Sequence, residues 1–150
     1  MEGFKKLQIK AFEHYKKNQF SEARQLFSLS LEHCQNEFDE CSTHIYIMVN
    51  SALLKDALNF DVSRTRAEAL LKAAFDEKRY QEYIILLCVY TEGFCEIYVF
   101  EKRYKEAKSI IDSFEQQLAL YSRYVPDIIV SGSKSKMKPY KDGLRSLGYT

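Results

Sequence analysis

Tryptophan is absent from this 150-residue chain, proline occurs twice and glycine five times. Both prolines, Pro126 and Pro139, come late, so no ring lacking a backbone donor breaks a helix before residue 126. Neither charge is in excess. Lys and Arg number 22 against 21 Asp and Glu, which leaves no whole-chain field to gather nucleic acid or an anionic membrane. No apolar run approaches the ~18 residues of a membrane span, and the first ten residues mix charged with apolar side chains where a signal peptide would be continuously hydrophobic. The expectation is a cytoplasmic or otherwise intracellular protein with no membrane partner. There is no glycine-rich phosphate loop, no paired-acid motif and no nucleophile elbow, so nothing marks an enzyme and nothing calls for a cofactor.

What is present suffices for one domain with a real core: 46% of residues are hydrophobic and 29% charged. Charge is uneven along the chain. From Ser122 onward six basic residues face two acidic ones, so the tail carries about four excess positive charges. The four cysteines are Cys34, Cys41, Cys88 and Cys95. Cys88 and Cys95 share one helical face within an apolar segment, where a free thiol packs as a small hydrophobe, and no disulfide framework is expected.

Apolar residues before Ser122 recur at the three- and four-residue steps of a helix. Phe4, Leu7, Ala11, His14 and Tyr15 set a first helix, and Phe20 to Leu31 a second, after a hinge of Lys17, Asn18 and Gln19. A third spans Ser42 to Leu58, with Ser42 or Thr43 able to cap its start. A turn at Asn59 to Asp61 then leads into Val62 to Glu77. Tyr80 to Glu101 and Tyr104 to Tyr121 complete three helical hairpins, with Lys102 and Arg103 at the last bend.

The stretch "NQFSEARQLF" contains "FSEA", Phe20 to Ala23, which is echoed by "FDVS", Phe60 to Ser63, and "YKEA", Tyr104 to Ala107. The aromatics lie 40 and 44 residues apart, and nine residues before each stands a small residue: Ala11, Ser51 or Cys95. Small side chains let two helices approach while the ring fills the corner of the hairpin. A further echo, "FDEKRYQEY" from Phe75 beside "FEKRYKEA" from Phe100, is too close to mark another repeat, because the interval cannot hold two helices of ordinary length.

On these residues the chain resembles the tetratricopeptide repeat family from Phe4 to about Tyr121, in three degenerate units longer than the family's usual ~34 residues. The fold implied is all-α: a right-handed superhelical stack of three helical hairpins over residues 1–121, with a basic C-terminal extension, 122–150, as a cap or a flexible arm. Leu144, Leu147 and Tyr149 would form the inner side of a cap. The resemblance implies a non-enzymatic adaptor, scaffold or assembly subunit that binds a protein segment in a concave groove lined by the first helix of each hairpin. That selects Gln8, Ile9, Phe12, Tyr15 and Lys16, then Ile45, Met48, Val49, Ala52 and Lys55, then Val89, Glu92, Glu96, Val99 and Phe100. The carboxylate clamp by which the family holds acidic chaperone tails is missing: Gln8, Phe12, Val49, Val89 and Gly93 occupy its positions.

Other clusters bear on chemistry. His33, Cys34, Cys41 and His44 have spacings that permit four metal ligands, but no tight Cys-x-x-Cys pair, and helix-end packing is the simpler role. Seven of the eleven tyrosines fall between Tyr80 and Tyr124, where core packing outweighs base stacking. An alternative function is nucleic-acid association through the basic tail, which would make affinity fall steeply with salt. Three hairpins are near the minimum for an independent stack, so self-association along a terminal face is compatible with the pattern.

Overall fold

A computed structural model describes the backbone of residues 2–76 and 78–149, with side chains described for all of these except residues 2, 70 and 73–75. Seven α-helices account for nearly all of it: α1 (Glu2–Lys16), α2 (Phe20–Ser30), α3 (Glu37–Leu53), α4 (Ala57–Asp76), α5 (Tyr80–Phe100), α6 (Tyr104–Tyr121) and α7 (Asp127–Ser146). No strand occurs among the described residues. Consecutive helices pack as antiparallel neighbours, and α3 also lies against α2 and α5, while α7 lies against α5 and α6.

The hinges explain where the helices stop. Asn18, Lys55, Lys78 and Lys102 all take left-handed backbone, with φ between 57° and 60°. That conformation places two amides against the end of the preceding helix. Asn18 N donates to Tyr15 O and Gln19 N to His14 O; Lys55 and Asp56 do the same to Ala52 O and Ser51 O, and Lys102 and Arg103 to Val99 O and Tyr98 O. Gly148 at φ 92° closes α7 in the same way, its N–H on Arg145 O and that of Tyr149 on Leu144 O. The "KRY" echo at Lys78 and Lys102 therefore marks two successive hinges, one on either side of α5.

Two longer connectors share another form. After α2 and after α6 a single 3-10 turn, Leu31–His33 or Ser122–Tyr124, runs into an extended residue before the next helix begins. The start of α3 is set by Asn36, whose side-chain oxygen accepts from Asp39 N at 2.8 Å, with Glu37, Asp39 and Glu40 in the first turn complementing the helix dipole. The cap is thus Asn36, and Ser42 and Thr43 lie inside the helix. The turn expected at Asn59 to Asp61 also lies inside a helix, α4; the actual bend is at Leu54 to Asp56. The expected end of that helix at Glu77 falls outside the described residues.

This shift re-registers the middle hairpin. Counted from the left-handed residue, Phe60 stands where the other hairpins have Ala23 and Ala107, and Met48 where they have Ala11 and Cys95. Ala57 takes the place of Phe20 and Tyr104. The middle hairpin therefore has large side chains at the positions where the outer two have small ones. Gly93, in the middle of α5, accommodates the exchange: a Cβ there would meet Met48 Cε at 2.9 Å and Phe60 Cε2 at 3.4 Å. The expected equivalence of Phe20, Phe60 and Tyr104 does not hold for Phe60, which is 2% exposed in the core while the other two are half-buried at hinges.

Four apolar clusters fuse along the molecule. Ala11, Ala23, Phe27 and Ile47 join the first three helices. Cys41, Ile45, Val49, Ala67, Leu86 and Val89 join α3, α4 and α5, with Met48, Ala52, Phe60, Phe94 and Ile97 continuing that core toward the hinge ends. Ile84, Cys88, Cys95, Ile111, Phe114, Leu118, Met137 and Leu144 knit α5, α6 and α7. Residues 122–149 of the segment expected as an extension therefore share a core with α5 and α6. Leu144 and Tyr149 face inward as expected of a cap, but Leu147 is 54% exposed. By length and composition α5 alone among the described helices could cross a membrane, against the expectation of no such run; here it is the central helix, buried on several sides.

Candidate functional site

Along α5, Cys88, Glu92, Glu96 and Val99 recur at helical spacing and form one face. Other helices bring polar groups to that face. Glu96 receives the Lys55 ammonium at 3.1 Å on one carboxylate oxygen and the Tyr140 hydroxyl at 2.8 Å on the other. Lys55 Nζ also sits 5.7 Å from the centre of the Phe100 ring. Glu96 is thereby fixed between the hinge of the second hairpin and the middle of α7.

Glu92, one turn earlier, is served poorly. Its side chain is 17% exposed, yet Lys136 Nζ and the Cys88 thiol each stay 4.0 Å from it. Among the described residues no N–H or O–H group donates to it at ordinary hydrogen-bond distance. Burial is the main reason its carboxyl is pushed up to about 7; Glu96 adds to the effect and Lys136 opposes it. Tyr15 of α1 and Tyr46 of α3 feel the same carboxylate: burial first, then Glu92, raises both phenols, Tyr46 to about 12. Groups from α1, α3, α5 and α7 thus share one electrostatic centre.

Beside Glu92 a cavity of about 130 Å³ opens between α5 and α7, lined by Ile85, Cys88, Ile128, Ile129, Gly132, Ser133 and Lys136. Its walls are largely apolar. A Cβ added at Gly132 would meet nothing within 4 Å, so this glycine leaves open space at the cleft.

Of the residues expected to line a groove, the structure brings Tyr15, Lys55, Glu92 and Glu96 together, with Val99 and Phe100 exposed at the end of α5 beyond them. Ile45, Met48, Val49, Ala52 and Val89 are at most 3% exposed and belong to the core, a correction to the expected site. The reason is that α3 is enclosed by α2, α4 and α5, which leaves few of its positions open. Gln8 braces helices, its amide nitrogen donating to Ser30 Oγ at 2.8 Å and Thr43 Oγ1 at 3.1 Å. Phe12 packs edge-on against Phe27 and Tyr46. Ile9 and Lys16 are exposed on α1. The expectation omitted Tyr46, Lys136 and Tyr140. Lys136 and Tyr140 stand four apart, like Glu92 and Glu96, and that helical period was the signal available in the tail.

Three buried thiols, Cys41, Cys88 and Cys95, are each pushed up to about 12 by burial, which keeps them protonated and poor nucleophiles. His33, Cys34, Cys41 and His44 do not converge: Cys34 faces Ser30 and Thr43, Cys41 faces Ala67, and His44 lies near Glu40. Among the described residues no three His, Cys, Asp or Glu side chains are placed to hold a metal ion.

No family model matches the chain, and neither a curated protein nor a solved structure does.

Proposed function

We propose that this chain is a non-enzymatic adaptor, built as a tetratricopeptide-like stack, that binds a protein segment across the face shared by α1, α3, α5 and α7. The observation that carries this reading is the assembly of Tyr15, Lys55, Glu92, Glu96, Lys136 and Tyr140 from three helices that are not consecutive, α1, α5 and α7, and from the hinge after α3. A curved hairpin stack would set its odd-numbered helices along one side and the even-numbered ones behind them. The matching left-handed hinges within the three hairpins, at Asn18, Lys55 and Lys102, and the two matching 3-10 connectors after α2 and α6 favour it as well, while α4 passes to α5 through a left-handed hinge at Lys78.

In this reading α7 is the first helix of a fourth unit, and two of its lysines are engaged in ion pairs. Lys141 pairs with Glu115 at 2.8 Å and Lys138 with Asp142 at 2.7 Å, which lessens the case for nucleic acid. Replacing both Phe12 and Met48 by alanine would remove a half-buried ring and a fully buried side chain at a cost of about 2–5 kcal/mol each, so lost binding in that variant would not isolate the groove.

The appropriate test is selection of binders from a displayed library of twelve-residue peptides, followed by amide chemical-shift mapping of the strongest one on the isotope-labelled protein. Shifts centred on Tyr15, Lys55, Glu96 and Tyr140 are expected. Shifts centred on the outer sides of α2, α4 and α6, or no sequence enriched above the naive library, would overturn the proposal.

A further inference from the structure

Two features lie side by side at the junction of α5 and α7, and each lacks what the other could share with a ligand. Glu92 is a largely covered carboxylate whose best cation, Lys136, stays 4.0 Å away on a side chain that is itself 56% exposed. The adjoining cavity has Ile85 and Ile129 in its walls, an unfilled position at Gly132, and Cys88 and Lys136 in common with the surroundings of Glu92. A carboxylate at the edge of an apolar slot matches a side chain with an aliphatic stem and a cationic head. Lysine has that form.

We propose that the α5–α7 cleft is a lysine seat: the stem of a lysine from the bound segment lies between Ile85 and Ile129, and its ammonium reaches Glu92 in place of Lys136. This deepens the adaptor reading and rests on it. Charge complementarity selects the occupant. Glu96 is already matched by Lys55 and Tyr140, whereas Glu92 retains acceptor capacity, so the site takes one cation and favours no acidic segment. Exchange of Lys136 costs little because an ion pair at that distance and exposure holds only weakly. Glu92 also stays partly protonated near neutral pH while empty, and a seated ammonium would draw it into the ionised form.

The test uses the full chain and the same displayed peptide library. Lysine should be enriched at one position among selected peptides, and changing that lysine to norleucine in the best synthetic peptide should weaken binding at least tenfold. Against Glu92→Gln the lysine and norleucine peptides should bind alike. Gly132→Leu, which fills open space and leaves the carboxylate in place, should weaken the lysine peptide as well. Circular dichroism establishes that both variants are folded. Binders that map to this face with no lysine preference, or a lysine effect that persists in Glu92→Gln, would overturn the seat and leave the adaptor reading standing. Binders that map to the outer helices would overturn both.

Discussion

Replacing Glu92 by glutamine keeps the shape of the side chain and removes its ability to ionise, which makes the cost of this carboxylate measurable. The carboxyl moves from an ordinary value near 4.5 to about 7. At ~1.4 kcal/mol per pH unit this corresponds to ~3 kcal/mol, and structural relaxation with residual solvent access reduces the expected effect to about 1–3 kcal/mol. The sign follows from linkage. The folded chain retains a proton that the unfolded chain releases, so the contribution is fully present below pH 4.5 and is lost as pH rises through about 7. Facing groups do not blur that window: burial raises Tyr15, Tyr46 and Cys88, and all three remain protonated across it. Urea unfolding of both proteins at pH 4.5 and pH 8 provides the assay. Glu92→Gln should be the more stable protein at pH 8 by about 1–3 kcal/mol and close to wild type at pH 4.5. A variant less stable than wild type at pH 8, or a difference independent of pH, would refute the reasoning.

Other consequences concern the packing that sets the site. Gly93→Ala crowds Met48 and should lower stability by about 1–2 kcal/mol, whereas in a Met48→Ala background it should raise stability by up to ~1 kcal/mol through helix propensity; additive effects would contradict the proposed close contact. Lys102→Gly relieves a side chain held at φ 60° and should stabilise by about 0.5–1 kcal/mol, with Lys102→Ala as the control that gives no such gain. Arg24 bridges the first two hairpins through Asp56 at 2.7 Å and Ser51 at 3.2 Å. The carboxyl of Asp56 is held low, first by Asn59 and then by Arg24, so its stabilisation is present above the usual aspartate range and is lost on acidification. Arg24→Ala should therefore reduce the acid sensitivity of unfolding and cost about 1 kcal/mol at neutral pH.

The all-helical character was legible because Phe20, Ala23, Phe27 and their counterparts repeat at the period of a helix face, and two hinges were legible because Asn18 and Lys102 follow long amphipathic runs. The bend at Lys55 was hidden. Lysine gives no local sign of left-handed backbone, and "NFD", four to six residues later, has the composition of a turn while lying inside α4. That displacement carried the middle hairpin out of register and sent Ile45, Met48, Val49 and Ala52 to the surface in the sequence reading. The half of the site from α5 and Lys55 was visible as charges at helical spacing. The half from α7 was not, because the segment, expected as a cap or an arm, offered only Leu144, Leu147 and Tyr149 as an inner side, while Met137 anchors it as well and fixes the face that carries Lys136 and Tyr140. A cavity between two helices has no signature in a single chain's periodicity, so the open space at Gly132 shows only in the fold.

The most direct test of the binding account is an NMR titration of the Glu92 carboxyl carbon in the free chain and in its complex with a selected lysine-bearing peptide. The account predicts a midpoint near 7 for the free protein that falls toward the ordinary carboxylate range when the peptide is bound. A midpoint that is the same in both states would contradict it.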